Sequence, residues 1–100
     1  MKPKILVTRK ISDIAEKYLK EKFDVSLNLK DEAIPYENLA KICNEYEGVI
    51  AASWDKFDSN FFNAMNGKLK IIASIAVGYD NIDIEVAKNK KIVITNAPNV

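Results

Sequence analysis

Lys68-Leu69-Lys70-Ile71-Ile72-Ala73-Ser74-Ile75-Ala76-Val77-Gly78-Tyr79-Asp80-Asn81-Ile82-Asp83 is the stretch that decides how this chain folds. Ile71 to Val77 is its most continuous apolar run, and a short run bounded by turn residues reads as a buried strand. A loop around Gly78 follows, Asp83 can cap a short helix through Ala87, and Ile92 to Ile94 forms another strand. Consecutive backbone amides around one glycine can form a nest for a small anion such as a carboxylate. A plain left-handed turn at Gly78 explains the same residues, and on local chemistry alone it is the favoured reading.

The same unit recurs toward the N-terminus. Lys4 to Thr8 is a compact apolar run, and Ile11, Ile14, Ala15, Tyr18 and Leu19 follow at helical spacing behind the caps Ser12 and Asp13. Phe23, Val25, Leu27 and Leu29 alternate with polar residues as in a half-buried strand near a sheet edge. Pro35 can open a helix with Tyr36, Leu39, Ala40 and Cys43 on one face. Val49 to Ala52 is the third strand, and Asp58 or Ser59 caps a helix carrying Phe61, Phe62 and Met65 that stops at Gly67.

Strict β–α alternation with short links implies parallel strands joined by right-handed crossovers. The expected fold class is therefore α/β: a flavodoxin-like open five-stranded parallel sheet of order 2-1-3-4-5 with helices on both faces. Ligands in such sheets sit beyond the carboxyl ends of the strands. That directs attention to Thr8 and Arg9, Ser53 and Trp54, Val77 to Asp80, and Asn96.

Composition narrows the chemistry. With 100 residues, 48% apolar and 29% charged, the chain can form one small domain. A net charge of +1 with dispersed lysines gives no electrostatic reason for a nucleic-acid or anionic membrane partner. Cys43 is the only cysteine and reads as a small core residue in a reducing, cytoplasmic setting. The short apolar run after Met1 is too brief for a signal-peptide core or a membrane span. There is no histidine, so the commonest general base and metal ligand is missing and no metal site is expected. The three glycines, at 48, 67 and 78, form neither a Gly-x-Gly-x-x-Gly nor a P-loop pattern.

At the sheet edge, the Ser53 hydroxyl could donate to a substrate, and Trp54 could wall a pocket or equally face another domain. Arg9, the only arginine, is within reach of an anionic ligand there, with a solvated surface cation as the competing reading. Asp80, Asn81 and Asp83 have the spacing of turn and cap residues more than of metal ligands. Lys88, Lys90 and Lys91 read as solvation of a helix end.

Leu69-Lys70-Ile71-Ile72-Ala73, Ala76-Val77-Gly78-Tyr79-Asp80-Asn81-Ile82-Asp83 and Ile94-Thr95-Asn96-Ala97-Pro98 together resemble the D-isomer-specific 2-hydroxyacid dehydrogenases, closest in flavour to glyoxylate or hydroxypyruvate reductases. The resemblance runs through the whole chain in order and spacing. It implies an NAD(P)-dependent parent enzyme, of which this chain would be the first segment, that moves a hydride between nicotinamide and C2 of a small 2-oxo or D-2-hydroxy acid. Residues 1–100 would be the N-terminal part of its substrate-binding (catalytic) domain. Ala76, Val77 and Gly78 would hold the substrate carboxylate through backbone amides, with Ser53 near the cleft. The parent would be a cytoplasmic homodimer using NAD or NADP.

The family continues past the equivalent of Val100 into a cofactor domain that carries the catalytic arginine, glutamate and histidine. The nucleotide-binding Rossmann domain is absent from this chain, so the segment alone is expected to bind no cofactor and to be catalytically inactive. Asn96-Ala97-Pro98 also replaces the more usual Asn-Thr-Pro. The alternative is an autonomous flavodoxin-like binding or interaction module. It fits poorly as a phospho-receiver, because Ala51-Ala52-Ser53 stands where an aspartate belongs, and poorly as a flavin binder, because Thr8-Arg9-Lys10-Ile11-Ser12 contains no glycine.

Overall fold

Strands and helices alternate without exception in the computed structural model, which describes residues 2–52, 54–74 and 81–95. The strands are β1 (Lys4–Val7), β2 (Asp24–Ser26), β3 (Gly48–Ala51), β4 (Ile71–Ser74) and β5 (Val93–Thr95). Between them lie α1 (Asp13–Lys22), α2 (Tyr36–Cys43), α3 (Ser59–Asn63) and α4 (Ile84–Asn89). All strand pairs are parallel and the order is β2-β1-β3-β4-β5, the order expected from the alternation.

Register explains which residues form the core. Leu6 pairs with Val49, Val49 with Ile72, and Ile72 with Ile94, so one row of apolar side chains crosses four strands on one face. Leu39 and Cys43 from α2, Phe61 and Phe62 from α3, and Ala87 from α4 pack on that row in a single cluster. Phe57, Phe62, Leu39, Ile72 and Cys43 are fully buried there. Each large apolar side chain so buried contributes about 1.5–3 kcal/mol. Phe61 stands edge-on to Phe57 and Phe62, with ring centroids 4.8 Å and 5.1 Å away. Phe57, Phe61 and Phe62 therefore belong to the core, whereas Tyr18, Tyr36 and Trp54 are exposed.

The other face carries the row Val7, Ile50, Ala73 and Thr95; α1 packs beside β2, and a hollow lined by Ile11, Ile14, Ala15, Tyr18 and Leu19 opens next to Ile50. Here the sequence expectation needs correction. Ile14 and Tyr18 fall on the apolar stripe of α1 yet are 84% and 58% exposed. The physical reason is coverage: among the described residues α2, α3 and α4 contribute to the core on the first face, whereas Ile14 and Tyr18 of α1 line an open hollow.

Local chemistry sets the element ends. The Ser12 hydroxyl accepts from Ala15 N–H at 3.2 Å, Asp58 caps α3 by accepting from Phe61 N–H at 2.9 Å, and Asp83 caps α4 by accepting from Val86 N–H at 3.3 Å. Each satisfies a first-turn donor that has no partner within its helix. Two expected elements are shorter than their patterns. β2 ends at Ser26, short of Leu27 and Leu29, because the Asn28 side chain ties the following turn down instead. α3 ends at Asn63, well before Gly67, whose φ of 96° places it in the left-handed region.

Gly48, at the start of β3, has a steric role. A Cβ there would meet Ile5 Cδ1 at 2.7 Å and Ile71 Cγ2 at 3.2 Å, so its bare backbone lets the flanking strands' isoleucines close over it. Among the described residues no helix is long and apolar enough to cross a membrane.

Candidate functional site

Thr8 at the carboxyl end of β1, Ala52 and Asp55 after β3, and Asn81 beyond β4 meet at one edge of the sheet. Ser53, Ala76, Val77 and Gly78, the four substrate-contact candidates, lie outside the described residues, as do Tyr79, Asp80 and Asn96 to Pro98. What surrounds them is well defined. After β3, Asp55 N–H donates to Ala52 O at 3.2 Å, closing the segment that contains Ser53 and Trp54. The Asp55 side chain turns back to accept from Ala52 N–H at 3.0 Å and from the Thr8 hydroxyl at the end of β1. Ala52 N–H also approaches Thr8 Oγ1 at 3.2 Å.

The segment after β4 is strapped to the same turn. Asn81 donates through Nδ2 to Asp55 O at 2.8 Å and to Ala52 O at 3.3 Å. Phe57 N–H donates to Asn81 O and Asp83 N–H to Phe57 O, both at 2.8 Å, forming a short parallel bridge between Phe57 and Ile82. Asn81 and Asp83 thus hold the scaffold together, which matches the structural role that their spacing suggests. The segment from Asn81 to Asp83 is thus tied to Ala52, Asp55 and Phe57.

Electrostatics at this edge are mixed. Asp55 and Thr8 are buried, at 2% and 0% exposure, and burial pushes the Asp55 carboxyl above its ordinary value, although the Thr8 hydroxyl and Ala52 N–H pull the other way. Asp55 Oδ1 has no hydrogen-bond partner among the described residues. Arg9 is half-exposed, 3.5 Å from Asp31 Oδ2, with its guanidinium 5.3 Å from the Trp54 ring centroid. It is therefore neither a bare surface cation nor a buried anchor. Asp31, held at a φ of 54°, also accepts from Lys10 N–H at 2.7 Å. Asn28 donates to Thr8 O at 2.9 Å and to Glu32 O at 2.6 Å, joining the loop after β2 to the end of β1.

Sequence reasoning missed Asp55, Asn28 and Asp31. The only signal for Asp55 was an acidic residue three positions after Ala52, a spacing suited to a side chain that closes its own turn. Cys43 is buried and free; burial, assisted by the Asp55 charge, pushes its thiol up to about 12. No group of three His, Cys, Asp or Glu that could hold a metal occurs among the described residues. Among the described residues no glycine loop suits a dinucleotide: Gly48 is filled over by isoleucines inside a strand, and Gly67 is an isolated left-handed turn. No chemical step is derived through a nicotinamide from these residues.

Comparison with known proteins gives this edge its context. Residues 5–100 match the family model for the D-isomer specific 2-hydroxyacid dehydrogenase catalytic domain. A glyoxylate reductase of Pyrococcus horikoshii is 39% identical over 100 residues, covering 100% of this chain and 30% of that protein. The chain thus spans about 30% of the length of the curated relatives it matches. Among solved structures, NAD+-bound 3-phosphoglycerate dehydrogenase of Entamoeba histolytica superposes with a TM-score of 0.78 at 31% identity, over 98% of this chain and 33% of that one. A Polaromonas protein described as a D-isomer specific 2-hydroxyacid dehydrogenase superposes with a TM-score of 0.91 at 24% identity, over 99% of this chain and 31% of that one, a likeness of fold.

Proposed function

Since the chain belongs to the D-isomer specific 2-hydroxyacid dehydrogenases, we propose that it is the substrate-binding portion of an NAD(P)-dependent oxidoreductase acting on the CH–OH group of small D-2-hydroxy acids, or reducing 2-oxo acids such as glyoxylate or hydroxypyruvate. The observation that carries this reading is the match over residues 5–100, on a chain whose post-β3 and post-β4 segments are strapped together at the carboxyl edge of the sheet.

In this reading the backbone amides of Ala76, Val77 and Gly78 take the substrate carboxylate and Ser53 lies beside the 2-oxo group. A carboxylate accepting several backbone N–H bonds is held in one orientation, which is what presentation of C2 to a hydride donor requires. The remaining requirements are a nicotinamide beside C2, a proton donor for the developing alkoxide, and a cation that polarises the carbonyl. This chain has no histidine, and its one arginine is engaged by Asp31 and Trp54. The segment is accordingly a binding platform that is inactive by itself, completed by a nucleotide-binding domain in a cytoplasmic, homodimeric parent.

The test is nicotinamide oxidation with glyoxylate and hydroxypyruvate. A protein of the relatives' full length that carries this chain should turn over at least one of them, and the 100-residue chain neither. Turnover by the chain alone, or a full-length protein inactive on every small 2-oxo acid tried, would contradict the proposal.

A further inference from the structure

The buried Asp55 carboxyl has more structure around it than turn formation needs, and one part of it is unsatisfied. Its Oδ2 lies within hydrogen-bond reach of the Thr8 hydroxyl and Ala52 N–H, while Oδ1 is sealed from solvent without a partner among the described residues. A carboxylate in this position would leave charge on an unpaired buried oxygen, with no cation bonded to it. A neutral acid avoids this. Its proton lies between Oδ2 and Thr8 Oγ1, and Oδ1 becomes a carbonyl oxygen, the kind of group that tolerates burial without a partner best.

We propose that Asp55 is a positioning residue that acts as a neutral acid, bracing Ala52 against Thr8 and so holding Trp54 at the substrate edge. The claim that this serves substrate binding rests on the proposed function; the bracing itself does not. Burial raises the carboxyl's affinity for its proton, in agreement with the geometry. Because the folded carboxyl keeps its proton to higher pH than the unfolded one, the brace is intact at low pH. It weakens as pH rises from the ordinary aspartate range through the folded value.

The charged and titratable groups on the packed segments are few. Cys43 on α2 faces Asp55 electrostatically but its thiol titrates only near 12. Arg9 and Lys10 follow Thr8, Lys56 and Asp58 follow Asp55 along its own loop, and Asp83 lies beyond Asn81.

Trp54 is the only tryptophan, so its emission reports on this turn alone. In the wild-type chain the emission should titrate with a midpoint above the ordinary aspartate value of about 3.9. The transition should vanish in Asp55→Asn, an isosteric neutral variant, and persist in Asp31→Asn, which removes the carboxylate paired with Arg9. The proposal is overturned by a wild-type midpoint at or below the ordinary value, by no transition, or by a transition that survives Asp55→Asn.

A second arm measures glyoxylate affinity by amide chemical shifts on either side of the midpoint. Affinity should drop at least about threefold above it in wild type and stay level in Asp55→Asn. Equal affinities on both sides would refute the link to binding. Absence of glyoxylate binding in every variant would instead refute the functional reading, with the emission titration still deciding the brace.

Discussion

Removing the Asn81 amide should uncouple the two segments that build the candidate site, and its cost can be worked from the geometry. Asn81→Ala deletes a short bond to Asp55 O at 2.8 Å and a longer one to Ala52 O at 3.3 Å. It leaves the backbone bridge between Phe57 and Asn81 intact. A well-made neutral bond is worth about 1 kcal/mol net and a stretched one about half of that, giving about 1.5 kcal/mol in total. For a domain of this size the midpoint of thermal unfolding should fall by about 6–12 °C.

Asn81→Asp is the sharper variant, because at neutral pH it places a carboxylate against two carbonyl oxygens. It should cost at least about 1 kcal/mol more than Asn81→Ala. The new carboxyl should hold its proton above the ordinary value in the folded state, so its excess penalty disappears at acid pH and grows as pH rises. Thermal unfolding by circular dichroism at several pH values reads both effects. An Asn81→Ala midpoint unchanged from wild type, or an Asn81→Asp penalty independent of pH, would refute the strap.

Phe57→Ala should be far more damaging, costing about 3–5 kcal/mol in denaturant unfolding, since it empties a fully buried site and removes the edge-on contact with Phe61. Asp58→Ala loses the α3 cap and should cost about 1 kcal/mol. Because the Tyr36 hydroxyl, 2.7 Å and 2.8 Å from the two carboxylate oxygens, holds Asp58 below its ordinary pKa, the wild-type advantage over this variant should shrink as pH falls through the folded value. The Cys43 thiol, buried and titrating near 12, should resist alkylation in the folded chain at neutral pH and react promptly in denaturant.

The fold was legible because its signals are periodic. Four apolar runs and one alternating segment, each separated by capped helical patterns, demand alternating strands and helices, and short links leave few topologies. Ser12, Asp58 and Asp83 were readable as caps because capping is a local matter of one side chain and the next turn. Coverage was not readable. The stripe containing Ile14 and Tyr18 looks the same in sequence whether or not anything packs on it.

Position along the chain put Thr8, Arg9 and Trp54 at one sheet edge, since all three follow strands. The contacts that organise that edge span long separations, as between Thr8 and Asp55 or Asn28 and Thr8, and no periodicity announces them. Asp55 resembles any loop acid until the burial around it is known.

The most direct measurement is an amide chemical-shift titration of the isotopically labelled chain with glyoxylate and hydroxypyruvate, using acetate as the carboxylate lacking a 2-oxo group. The account predicts saturable shifts centred on Ser53 and on Ala76, Val77 and Gly78, with acetate weaker. Shifts confined to surface lysines, or no saturable response in this segment at high concentration, would contradict it.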